Sequence, residues 1–294
     1  MTATGLEQST VITACDYLSG YITYVPIASR AWSRFSDANL RVVCVAPQDL
    51  HDDLARIINK HADAVCVDVR EYLDLGVQAK IERLWQAQSS DLNSSFNVIM
   101  DMDLVPLSDV YQRLVLSKKP EALVKWRYDA YQSWQPSAKW PMHGTGAPGW
   151  LWQSLLNPFE DDLETAIERW SALFVDGKES PSGSFSAFSD ESLLRAILVE
   201  CGFQPEVWPI SCDLVGSNRY AFRLDRADSW RSRSALKRLF PGPLIRLGRS
   251  QEFHGPSYFP HRDRRGTAIL RFLDIDEADY GAYLAELSSV IGPR

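Results

Sequence analysis

The chain has 294 residues, of which 45% are hydrophobic and 23% charged, with a net charge of −7. That composition excludes collagen-like, low-complexity and largely disordered proteins, and no apolar run approaches the roughly 18–20 residues that span a bilayer. The opening MTATGLEQST pairs no basic patch with an apolar stretch, so no secretory signal is expected and the chain reads as cytoplasmic.

In the first half, short apolar runs alternate with helical stretches. Val11–Ala14, 40–46, 64–67, 96–100 and 122–125 are continuous rather than alternating in polarity, which suits strands buried on both faces. Between them, Gln48–Lys60 and Gly76–Gln88 carry apolar residues at helical spacing. The rhythm reads as βαβ units and an α/β fold with a mainly parallel central sheet flanked by helices. Sheets of this class bind ligands at the carboxyl ends of their strands.

Further along, residues 126–152 hold five of the ten tryptophans and read as a long aromatic loop. Trp126, Trp134, Trp140, Trp150 and Trp152 offer either a sugar-stacking platform or ordinary core packing. Asp161–Phe174 and Asp190–Glu200 read as helices separated by a Ser/Gly-rich loop. The tail is expected to contain a strand at Ala268–Leu273 and a helix at Asp276–Val290. A core over 1–215 and a basic region over 216–294 packed on the same domain are expected.

Cys15, Cys44, Cys66, Cys201 and Cys212 form neither a CxxC pair nor a zinc-type cluster, and read as reduced and structural. Charge is uneven. From Arg219 to Arg271, 13 Arg/Lys face four carboxylates, a surplus of nine that leaves the remainder at −16. Such asymmetry fits either an anionic partner or a solvated arginine-rich face. Residues 228–240 read as a moderately amphipathic basic helix that Pro241 ends. It would either rest on an anionic membrane surface or pack on the core.

The sharpest local feature is Asp101-Met102-Asp103, directly after the apolar run at 96–100. In an extended chain the two carboxylates project to one side. Their repulsion calls for a hard cation such as Mn²⁺ or Mg²⁺, which keeps substrate phosphates in its shell. A second Asp-x-Asp, Asp274-Ile-Asp276, opens a helix and reads as capping. Lys80 sits on the helical face of Val77, Ile81 and Leu84, where its ammonium either meets an anion or reaches out to solvent. His51 and His61 read as structural or solvated.

Read in order, these segments resemble the family-8 glycosyltransferases, a group with the GT-A fold. Ile12-Thr13-Ala14-Cys-Asp16-Tyr17 resembles their first strand and nucleotide-base loop. Ala79-Lys80-Ile-Glu-Arg-Leu-Trp85 resembles the lysine helix, and Val98-Ile-Met-Asp101-Met102-Asp103 the metal motif. Gly144-Thr-Gly146-Ala resembles the loop beneath the sugar, Asp190-Glu191-Ser-Leu-Leu194 the family's Asp-Gln-x-x-Leu segment, and Phe253-His254-Gly255 the late metal histidine.

The resemblance implies a single GT-A domain that moves a sugar, with retention, from a UDP-sugar to an acceptor that is a saccharide, a lipid-linked saccharide or a protein. It implies Mn²⁺ or Mg²⁺ on Asp101, Asp103 and His254 or His261, and a donor bound by Thr13, Ala14, Asp16, Tyr17, Lys80, Met102, Gly144, Gly146 and Arg262. Asp190, Glu191 and Lys80 would serve catalysis; for an inverting enzyme, Asp190 or Glu191 becomes the general base. The sequence departs from the family in three places. Glu191 replaces a glutamine, His143 or Thr145 an asparagine, and Arg262, Arg264 or Arg265 must stand for a phosphate-binding lysine. The alternatives are a sugar-1-phosphate nucleotidylyltransferase, whose Gly-rich first loop is missing here, and a non-catalytic nucleotide-sugar binding module.

Overall fold

A computed structural model describes residues 6, 8–126, 144–175, 190–203, 206–208, 223–224, 241–246 and 252–292. Apolar, β-branched runs form β1 (Ser9–Asp16), β2 (Asn39–Val45), β3 (Asp63–Val67) and β4 (Phe96–Ile99), as the sequence predicts. β1 lies between β2 and β4, and β3 lies outside β2, all in parallel register. Three further strands follow: β5 (Leu104–Pro106), β6 (Val124–Trp126) and β7 (Thr145–Pro148). With β8 (Glu206–Trp208) they give a seven-stranded sheet ordered β3-β2-β1-β4-β7-β6-β8, where β7 runs antiparallel to β4 and β6. β5 joins a second, three-stranded sheet with β9 (Arg223–Leu224) and β10 (Glu252–His254).

Helices cover both faces. On one side lie α1 (Val25–Phe35) and α2 (His51–Ile58), and on the other α3 (Leu75–Gln86), α4 (Gly149–Leu156), α5 (Leu163–Val175) and α6 (Asp190–Glu200). After α7 (Pro241–Arg246), the chain returns to the first face with α8 (Arg264–Phe272) and α9 (Glu277–Ile291). Helix starts are fixed by carboxylates. Asp74 accepts from the amides of Gly76 and Val77, Asp263 from Arg265 and Gly266, and Asp276 from Ala278. The Asp276 contact bears out capping for the second Asp-x-Asp.

The structure corrects two readings and adds two elements that the sequence reading lacked. Residues 268–272 belong to helix α8 and Leu273 caps it, with no strand; a short apolar run does not distinguish the two, and the Asp263 cap favours the helix. The supposed loop at 126–152 contains β7 and the buried helix α4, where Trp152 donates its Nε1–H to the Asn97 carbonyl at 3.0 Å. Pro241 opens α7, whose first turn needs no proline amide. Helix α1, with Pro26 in its first turn, had no counterpart in the sequence reading. The basic segment 228–240 and Cys212 lie outside the described residues. Among the described residues no helix is long and apolar enough to cross a membrane.

Candidate active site

The site is built at the carboxyl ends of β1 and β4. Strand β4 ends at Ile99, and residues 101–103 then turn instead of continuing extended, with the Leu104 amide donating to the Asp101 carbonyl at 3.1 Å. The extended-chain geometry expected for the pair is thus replaced by a turn. Asp101 is 37% exposed and Asp103 only 3%.

A different side chain reaches each carboxylate. Arg83 of α3, 5% exposed, donates from Nη1 to Asp101 Oδ1 at 2.9 Å and to the Met100 carbonyl at 2.6 Å. Charge-assisted contacts of this kind hold a buried guanidinium. Lys80, read as the cation of this site, is exposed instead. The cause is that α3 packs against both the sheet and α6, which buries Val77, Gln78, Ala79, Ile81, Glu82, Arg83 and Leu84 and leaves Lys80 outward. The signal for Arg83 was in the sequence: one turn beyond Ala79, it is the long cation flanked by Ile81 and Leu84.

On the other side, His254 Nε2 stands 3.5 Å from Asp103 Oδ2 at the end of β10. The next amide, Gly255 N–H, donates to the Asp103 carbonyl at 3.0 Å and extends the β5–β10 ladder. His261 lies instead beside the rings of Tyr280 and Tyr258. Of the two late histidines, His254 is the one brought to the Asp-x-Asp turn.

Gly255, part of the late-histidine motif, and Tyr24, which sequence reasoning missed, hold this arrangement. A Cβ on Gly255 would sit 1.9 Å from the Tyr24 hydroxyl, which donates to the Pro256 carbonyl at 2.7 Å. Tyr280 and Tyr283 of α9 donate to the carbonyls of Thr23 and Ile22, and the Phe259 amide donates to Thr23 Oγ1. The turn after β1 is thereby clamped to the returning C-terminal segment.

Other expected donor contacts fare unevenly. Asp16 closes β1, and its Oδ1 accepts from the amides of Leu18 and Ser19 at 3.0 and 2.6 Å, which turns the chain and presents half-buried Tyr17. Thr13 is buried within β1, short of the strand end, and Ala14 is half-buried on the opposite face, so Thr13 is a wall of the core rather than a reachable contact. Met102 is likewise buried in the core. Gly146 lies in β7 opposite Val98, where a Cβ would meet the Phe96 ring at 2.9 Å, so close strand packing by itself calls for a glycine there. Gly144, with φ at 87°, is the turn residue and donates to the Ile99 carbonyl at 3.0 Å. Arg262 and Arg264 are exposed, whereas Arg265 is paired with Asp263 at 2.7 Å. Asp190 and Glu191 open α6, and their side chains lie outside the described residues, as does His143.

Among the described residues no group of three His, Cys, Asp or Glu side chains is assembled to hold a metal ion. Asp103 and His254 fit two adjacent ligand positions, with Asp101 drawn toward Arg83.

No protein-family model matches the sequence. No curated protein matches it either. Solved structures do match. An active-site mutant of LgtC aligns with a TM-score of 0.50 and 13% identity over 93% of this chain and 95% of its own. The glycosyltransferase GlyE of Streptococcus pneumoniae TIGR4 aligns with a TM-score of 0.46 and 16% identity over 96% of this chain. The present chain spans 63% of the GlyE chain. The likeness to LgtC is one of fold, and the chain has the mixed α/β, GT-A architecture implied by the motif resemblance.

Proposed function

We propose that the chain is a metal-dependent glycosyltransferase that takes its sugar from a nucleoside-diphosphate donor, UDP-hexose by resemblance. The observation that carries the reading is the meeting of Asp103 with His254 at the carboxyl edge of a GT-A sheet, brought from distant parts of the chain. A carboxylate and an imidazole at that spacing suit a hard or borderline divalent cation such as Mn²⁺. Two protein ligands leave positions for diphosphate oxygens, and the bound cation would stabilise negative charge on the leaving nucleotide.

The chain's own residues do the rest. Arg83 neutralises Asp101 and fixes its half-exposed carboxylate at the mouth of the site. Tyr17, after the Asp16 turn, lies where a nucleobase would dock. Arg262 or Arg264, both exposed, would meet the donor phosphates in place of the family's lysine. Asp190, first residue of α6, would orient the sugar, with Glu191 beside it in place of the family's glutamine; retention follows from the resemblance. The acceptor is a saccharide, a lipid-linked saccharide or a protein.

Calorimetric titration of UDP with and without Mn²⁺ tests the reading. Binding should require Mn²⁺ and be lost in Asp103→Asn and His254→Ala. Equal UDP affinity in the presence of a chelator refutes metal dependence, and a panel of UDP-sugars that none is hydrolysed refutes the transferase.

A further inference from the structure

Three of the five cysteines form a row that the catalytic reading does not use. In the parallel register, Cys15 of β1 faces Cys44 of β2, and Cys44 faces Cys66 of β3. All three lie on the sheet face covered by α1 and α2. Cys15 and Cys44 are buried, while Cys66 is half-buried on the terminal strand of the sheet. The register makes Cys44 the direct cross-strand neighbour of both.

Neighbouring strands are about 4.8 Å apart, inside the window of Cα separations that disulfides occupy. The Cβ atoms of such a pair must still draw closer. Between β1 and β2 that movement is opposed, since each is paired on both sides. Among the described residues β3 is paired only with β2, so a shift of β3 breaks fewer ladder contacts. From this register we infer that Cys44 and Cys66 form a reversible disulfide by exchange with a low-molecular-weight disulfide of the glutathione class, with Cys66 as the entry thiol.

The step balances. The Cys66 thiolate attacks the small disulfide, forming a mixed disulfide and releasing one small thiol. The Cys44 thiolate then attacks Cys66 Sγ and releases the second. Two protein thiols are oxidised, the reagent is reduced to two thiols, and the leaving thiolates take up the two protons. The required closure leaves the bond strained, and strained disulfides are the readily reduced ones. The Cys44 contact, burial and nearby Asp52 hold the Cys66 thiol above the usual range, so exchange accelerates with rising pH.

The test uses the full, reduced chain with excess oxidised glutathione over a series of increasingly alkaline buffers, since both thiols are held above the ordinary range. After acid quenching, peptides are mapped by mass spectrometry. A Cys44–Cys66 linked peptide, two hydrogens lighter than its parts and restored by dithiothreitol, is expected from the native protein, against scrambled pairs from protein in urea. In Cys44→Ala, glutathione should stay attached to Cys66. An unmodified Cys66, a lasting adduct on wild-type Cys66, a Cys15–Cys44 link or scrambled pairs from the native chain would each overturn the inference.

Discussion

Asp101 and Asp103 stand two residues apart, yet different parts of the chain anchor them. Asp101 takes its ion pair from Arg83, 18 residues upstream on the helix that precedes its own strand. Asp103 is met by His254, which arrives only when the C-terminal segment returns through β10. The first anchor belongs to a βαβ unit whose parts are neighbours in sequence. The second depends on docking, through the contacts of Tyr24, Tyr280 and Tyr283 and the Phe259 amide. One side of the site forms with the sheet, and the other is only as well placed as the segment that carries it.

Breaking the local anchor should have the largest effect. Arg83→Met removes a buried cation and leaves the Met100 carbonyl without that donor. A buried partner lost in this way costs about 3–5 kcal/mol, and hydration of half-exposed Asp101 lowers the figure to about 2–3 kcal/mol. Urea melts should show that loss, and Lys80→Met should stay within about 0.5 kcal/mol of wild type. Equal losses would restore Lys80 to the site.

Breaking the distant anchor comes next. Gly255→Ala drives a methyl into the Tyr24 hydroxyl, and overpacking of this kind costs about 1–3 kcal/mol. Because the displaced backbone carries His254, Mn²⁺-dependent UDP binding should weaken at least about tenfold, as when support around a metal ligand is lost. Tyr24→Phe should recover part of the stability in the double mutant, a coupling that a mutant cycle measures. Additive losses would mean that the two residues do not oppose each other.

The same contrast explains what the sequence showed. β1, β2 and β4 announced themselves because strands buried on both faces are continuous apolar runs, half-buried β3 kept the same apolar pattern, and α3 followed from Val77, Ile81 and Leu84. The Asp-x-Asp turn was legible for the same reason, as the first polar residues after such a run. What escaped was set by packing. The outward turn of Lys80 depends on α6 covering the far side of α3. The place of Thr13 in the core, the closeness of Gly146 to Phe96, and the choice of helix for residues 268–272 likewise depend on neighbours distant in sequence. His254 could be suggested by the resemblance, but choosing it over His261 required β10 paired with β5.

Helix caps sharpen the comparison at lower amplitude. Asp74 starts α3, which carries Arg83, and Asp263 starts α8 in the returning segment. Alanine at either position should cost about 1 kcal/mol. Asp74→Ala should weaken the Arg83 side without changing the Gly255–Tyr24 coupling, and Asp263→Ala should do the reverse. Thermal melts of each cap variant in the two mutant backgrounds separate these outcomes, and identical coupling patterns would show that the two anchors are not independent.

The smallest effect is a pH dependence of the C-terminal docking. His61, just after α2, packs edge-on against Tyr283 of α9, with ring centroids 5.3 Å apart, and its carbonyl accepts from Ser29. Burial, and then the charge of Lys60, lower its pKa below the ordinary 6.5, with Glu286 opposing. The unfolded chain therefore takes up this proton more readily than the folded one. The contribution of neutral His61 is present above the ordinary value and is lost as pH falls through the lowered, folded one. Glu286, held by Lys60 and Arg56, has its own pKa lowered from 4.5 and keeps its charge through that window, so its titration belongs to more acidic conditions. Between about pH 7.5 and 5.5, the wild-type melting temperature should fall further than that of His61→Gln, which cannot take the charge. Equal falls would show that protonation of His61 does not loosen α9 from α2.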